Sequence, residues 1–276
     1  MVLRDLFGVD KPLIGMVHLQ PLPGSPRYAG DFDWVVEQAQ AEARALVAGG
    51  MDGLLFENYH DVPFCKERVG PETVAAMAVV VREVGRAVSR PYGVNVLRND
   101  ALAALAVAAV GGAQFIRVNV HLGAMLTDQG LVEGRAYETL RYRQGLAPGV
   151  KIFADVLVKH ALPLGSPTLA QAARDAAYRG LADALIVSGP RTGEPCDPSD
   201  LVQVRAAVPE VPLLVGSGVR VDNVATLLAL ADGAIVGTSL KEEGDVNRPV
   251  DERRVRELVQ AARTRSGKGL GDEARR

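Results

Sequence analysis

Cysteine is scarce: 276 residues contain two, Cys65 and Cys196, far apart and in no CxxC spacing. The chain therefore offers no disulfide framework, and a reduced, cytoplasmic protein is expected. Net charge is scarce as well. A formal charge of −2 gives no bulk positive field to attract nucleic acid. Long apolar runs are missing. The longest uncharged stretch, 101–116, is Ala-rich and broken by Gly111-Gly112. It is too short for a membrane span and reads as helix, turn, strand. MVLRDLFGVDKP, at the start, carries charges where a signal peptide needs an apolar core. The other end, TRSGKGLGDEARR, has no apolar period, and a disordered tail is expected over 267–276. What remains, 1–266, has the length of one α/β barrel and the apolar share to fill its core.

Eight short apolar runs read as strands: 13–18, 53–58, 92–97, 114–120, 151–158, 182–188, 212–217 and 233–238. Helical patterns separate them. The first has Asp33 as its expected N-cap and Gly49-Gly50 as its stop. The second has Pro71 near its first turn, the third a cap at Asn99 or Asp100, and another opens at Ser166-Pro167. Eight alternations of strand and helix predict an α/β fold, a single (β/α)8 TIM barrel of eight parallel strands. An open doubly wound sheet is the alternative. Helix-to-strand links are short, whereas most strand-to-helix links are long and polar: 19–32, 58–70, 121–135, 159–166, 189–198 and 239–251. Function in this fold sits on those latter loops. His18, His60, His121 and His160 all fall at or just after a strand end.

Two turns stand out, Gly216-Ser217-Gly218 after the seventh strand and Gly237-Thr238-Ser239 after the eighth. In a barrel these strands are neighbours. Backbone N–H groups of both turns, with the hydroxyls, can converge on one phosphate. The competing reading is that the glycines serve only the turns' geometry. Period two puts Glu57, Asn95, Arg117, Asn119 and Asp155 on the inward face of otherwise apolar strands, with Lys159 just beyond. Facing the helices, they would leave charge in an oily layer. Arg117 and Asp155, on adjacent strands, are expected to pair. The polar set is read either as a buried ion network that fills the barrel or as an active site. In the site reading Glu57, Asp155 and Lys159 are the catalytic candidates, with His18, Asn95, Arg117, Asn119 and His160 binding substrate. Lys159, beside His160, suits an anion or hydroxyl contact better than a Schiff base. No cofactor is expected. A divalent metal on His18, Glu57, Asp61 and Asp155 is a further alternative, without a tight ligand motif behind it. The prolines of LQPLPGSP (19–26) read as stiffeners of a loop over the mouth, with Arg27 and Tyr28 near the site.

IGMVHLQPLPGSPRY (14–28), FENYHDVPF (56–64), YGVNVLRND (92–100), QFIRVNVHLGAMLTDQG (114–130), ADVLVKHA (154–161) and DGAIVGTSLKEEGDVNRPVD (232–251) together resemble the BtpA/SgcQ family over nearly the whole chain. The resemblance implies a barrel similar to the ribulose-phosphate-binding barrels. It also implies one of two callings. One branch of the family serves photosystem I biogenesis, peripheral to thylakoid membranes. Another is assigned a nucleosidase or sugar-metabolism role. Two functional expectations follow. The first is an enzyme acting on a phosphorylated sugar or a nucleoside- or nucleotide-like metabolite, as isomerase, lyase or N-glycosidic hydrolase. The second is a non-catalytic assembly factor with a ligand-binding barrel, which needs an exposed apolar patch for its partner. DERRVRELVQAARTR (251–265) reads as the eighth barrel helix rather than a membrane-surface helix. Neither a transmembrane segment nor a nucleic-acid partner is expected, and the oligomeric state, homo-oligomer included, stays open.

Overall fold

The computed structural model describes residues 2–158, 160–189 and 191–264. Lys159 and the expected disordered tail lie outside the described residues. Eight parallel strands close a barrel: β1 (Leu13–His18), β2 (Gly53–Glu57), β3 (Tyr92–Asn95), β4 (Phe115–Val118), β5 (Lys151–Asp155), β6 (Ala184–Ser188), β7 (Leu213–Gly216) and β8 (Gly233–Val236). Each pairs with its sequence neighbours, and β8 returns to β1 with Leu13 opposite Ala234. β1 matches its apolar run, β6 starts two residues later than its run, and the other strands are shorter than theirs, which continue past the last ladder bond into the loops. Helices start where side chains capture their free N–H groups. Asp31, two residues ahead of the expected cap, accepts from Trp34 N. Asp100 accepts from Ala103 N, and Thr168 with Gln171 forms a capping box. Pro71 occupies the first turn of Pro71–Ala87.

The core has two layers. The larger lies between strands and helices. The smaller fills the barrel: Ile14, Met16, Leu55, Phe115, Phe153, Ile186, Leu214 and Ile235 point inward. Phe115 and Phe153 stack at 4.6 Å, and Phe7 meets Phe115 edge-on at 5.7 Å. Phe7 belongs to a helix, Val2–Phe7, that had no sequence signal of its own and that, with Leu3, plugs the barrel's lower end. Gly93 makes room for this packing, since a Cβ there would sit 2.3 Å from the Phe115 ring.

The expected loop 121–135 is ordered as a hairpin, Ala124–Thr127 and Gly130–Glu133. Ala161–Pro163 joins as a third antiparallel strand. Alternating residues around Asp128-Gln129-Gly130, with Gly130 at φ 88°, make the turn. This small sheet stands beside the barrel mouth. Among the described residues no helix is long and apolar enough to cross a membrane.

Candidate functional site

Two residues beyond the apolar filling, at the next inward positions, the strands turn polar. Strand register aligns His18 with Glu57 and Glu57 with Asn95. Across the barrel Arg117 and Asp155 form a buried two-pronged ion pair, Nε to Oδ2 at 3.1 Å and Nη2 to Oδ1 at 2.9 Å. Asn119 Nδ2 donates to Asp155 Oδ2 (2.9 Å), and Ser188 Oγ donates to Oδ1 (3.3 Å). Asn95 Nδ2 donates to the Arg117 carbonyl and to Asn119 Oδ1. Each Asp155 oxygen thus accepts two hydrogen bonds. Burial works against the Arg117 charge, but Asp155, then Glu57, outweigh it and hold its pKa above the ordinary value.

Two cavities open above this tier. The smaller, of about 260 Å³, is walled by the loops after β7 and β8, including Ser217, Gly218, Arg220, Thr238 and Arg254. Ser217 and Gly218 both adopt positive φ, 67° and 61°. A Cβ on Gly218 would lie 2.1 Å from Pro195 N, so glycine is required there by close packing as well as by conformation. Ser239 Oγ donates to Val219 O (2.6 Å), lacing the two turns together and committing its proton. Thr238 lines the cavity. Gly216 ends β7, and Gly237 lies against His18 and Met16. The larger cavity, of about 700 Å³, runs from Glu57 and Arg117 toward Arg27, His60, Arg98 and Arg191. Glu57, Tyr59, Arg117 and Thr192 line both.

Tyr59 and Thr192 have no signal in the sequence, and His60 only its place after a strand end. Tyr59 stacks on His18 with ring centroids 4.7 Å apart. Burial raises its phenol pKa, a Thr192 hydrogen bond draws it partly back, and Glu57 adds to the rise. His60 is pushed down to about 4, first by burial, then by Lys241 and Arg27, so it is neutral at pH 7. His160 Nε2 accepts from Thr192 N at 3.1 Å, tying two mouth loops together. Of the four histidines, His121 sits apart, with Nε2 2.7 Å from Gly180 O. A second buried ion pair, Lys241 with Glu42, locks the loop after β8 to the helix Phe32–Ala48, and Glu42 Oε2 also accepts from His18 N (3.3 Å). Asp61 is spent on Leu22 N and Asn58. Among the described residues no three His, Cys, Asp or Glu side chains converge as a metal-binding set, so the four considered from the sequence are not brought together as ligands.

Comparison with known proteins agrees with this architecture. The model of the BtpA family matches residues 9–264. The photosystem I biogenesis protein BtpA of Synechocystis sp. is 49% identical over 261 residues, covering 95% of this chain and 91% of that protein. The sgc region protein SgcQ of Escherichia coli is 33% identical, covering 94% and 96%. Among solved structures, phosphoribosyl anthranilate isomerase from Thermus thermophilus superposes with a TM-score of 0.55 at 14% identity, covering 93% of this chain and all of its own. At that identity the likeness is one of fold.

Proposed function

The chain belongs to the BtpA family, and from that premise we propose that it is a small-molecule enzyme acting on a phosphorylated sugar or a nucleoside- or nucleotide-like metabolite. The observation that carries this is the meeting of two cavities at Glu57: a glycine-lined one between the β7 and β8 turns, and a roomier one over the mouth. The first suits a phosphate, with backbone N–H groups around Ser217 and Gly218 and the Thr238 hydroxyl as donors and Arg220 and Arg254 as nearby charge. The second holds the rest of the molecule. Glu57 then lies where the reacting carbons sit, and it transfers the proton in an isomerase, lyase or N-glycosidic step. Asp155, with all its lone pairs engaged, fixes Arg117 and Asn119, which orient the substrate. His18, Asn95 and His160 shape the walls, and Lys159 serves as an anion or hydroxyl contact. The phosphoribosyl substrate in the name of the isomerase with the same fold is of the class this site suits.

A thermal-shift screen tests it. A ligand at 100 times its Kd adds about 2.7 kcal/mol, which raises Tm by roughly 5–10 °C in a chain of this size. Sugar phosphates should shift the melt, their unphosphorylated counterparts should not, and Thr238→Val should reduce the shift. No response to any phosphorylated compound refutes the reading.

A second reading has its own support. The small sheet exposes Leu126, Leu131 and Leu162, with Leu164 next to it. That apolar face suits an assembly role of the kind the Synechocystis relative's name records. On that reading Glu57→Gln leaves function untouched.

A further inference from the structure

Arg98 follows directly on the β3 run and is 7% exposed. Such a side chain normally lies against a carboxylate, because an unpaired buried ion is strongly destabilising. Arg98 has no ion pair among the described residues, and its buried Nη2 has no hydrogen-bond partner there. The nearby acids are engaged elsewhere. Asp61 holds Leu22 N and Asn58, and Asp100 holds Val69 N and Ala103 N. The backbone beneath Arg98 is firmly set. Its own N–H donates to Cys65 O at 3.1 Å, and Asn58 Oδ1 accepts from Leu97 N at 2.7 Å. The backbone that carries the guanidinium is therefore fixed, and among the described residues no carboxylate pairs with it.

It lines the larger cavity. Arg27 and Arg191 line the same space, and neither forms an ion pair among the described residues. The acids on those walls are Glu57 and Asp128. The excess on those walls is positive. We propose that Arg98, flanked by Arg27 and Arg191, forms a second oxyanion subsite, so that the substrate carries two anionic groups. The phosphate lies between the β7 and β8 turns, and a carboxylate or a second phosphate lies on Arg98, with Glu57 between them. This rests on the phosphate reading above. A planar guanidinium fork suits either oxyanion by paired hydrogen bonds. A ligand that brings the missing charge also removes the cost of leaving Arg98 unpaired.

Calorimetric titration with two matched pairs of probes tests this on the full chain. Sorbitol 6-phosphate and 6-phosphogluconate differ in a terminal carboxylate. Fructose 6-phosphate and fructose 1,6-bisphosphate differ in a second phosphate. At least one doubly anionic probe should bind tenfold or more tightly than its partner, and which pair responds identifies the second group. Arg98→Met should abolish that advantage while leaving the singly phosphorylated probes within about twofold. Arg98→Lys should keep part of it. Ligand-free Arg98→Met should melt at or above the wild-type temperature, because an uncompensated charge is gone; an arginine needed only for structure would make it melt lower. Equal affinities within both pairs, or an advantage that survives Arg98→Met, overturn the subsite and leave the phosphate reading standing. An Arg98-dependent advantage, with the affinities of all four probes unchanged by Thr238→Val and Ser217→Ala, supports the subsite and overturns the phosphate reading. Binding of none of the four overturns both.

Discussion

Asp155→Asn separates the two roles open to that residue. The substitution keeps the side chain's shape and removes its charge. Arg117, 5% exposed, then loses its carboxylate, and an amide N–H must face donors of Arg117 or Asn119. Breaking a buried ion pair from one side costs about 3–5 kcal/mol. Glu57 also stabilises the Arg117 charge, which places the loss toward the lower end. At 2–4 °C per kcal/mol, the melting temperature should fall by roughly 6–15 °C. Urea denaturation and calorimetry read this directly. The double variant Asp155→Leu/Arg117→Met, which removes both charges, should regain most of the loss. If Asp155→Asn melts within about 1 °C of wild type, the anchoring account is wrong. If it also loses turnover, Asp155 is a proton-transfer group after all.

Lys241→Met should destabilise the chain in a pH-dependent way. Burial already raises the Glu42 pKa against the pull of Lys241, and without that cation it rises further. The wild type also loses stability above the unfolded value of 4.5, so the gap between the two widens only above the wild type's own raised Glu42 pKa, where its folded state has released a proton that the variant still holds; urea midpoints at several pH values check this, and a constant gap refutes it. The folded His60 pKa, held near 4 by burial, lies below the unfolded value of 6.5, so the unfolded chain binds the proton first. Wild-type stability should fall as pH drops from 6.5 toward 4, and His60→Gln should flatten that slope, leaving the part contributed by buried His121; an unchanged slope counts against the assignment.

Much of the barrel was legible because its signals are local. Period two placed Glu57, Asn95, Arg117 and Asp155 on one face, and the register aligns Glu57 with Asn95 as neighbours. The expected Arg117–Asp155 pair is present. The hairpin at 124–133, expected only as a loop, does carry a local signal: Asp-Gln-Gly between alternating residues is a turn pattern. Glu42 gave a partial sign, a carboxylate on the helix face that buries Ala39, Ala43 and Leu46. Its partner Lys241 lies 199 residues away, and no spacing rule reaches that far. Tyr59, His60, Arg98 and Thr192 sit on loops whose paths depend on contacts such as the Asn58 clamp on Leu97, which hydropathy does not encode.

The plug formed by Leu3 and Phe7 also governs traffic. With Phe115 and Phe153 stacked above it, the lower end of the barrel is filled among the described residues, and the barrel works as a blind-ended well. Whatever reaches Glu57 departs through the opening it entered. Arrival and departure therefore share one lane, and a departing molecule must clear the rim before the next can descend.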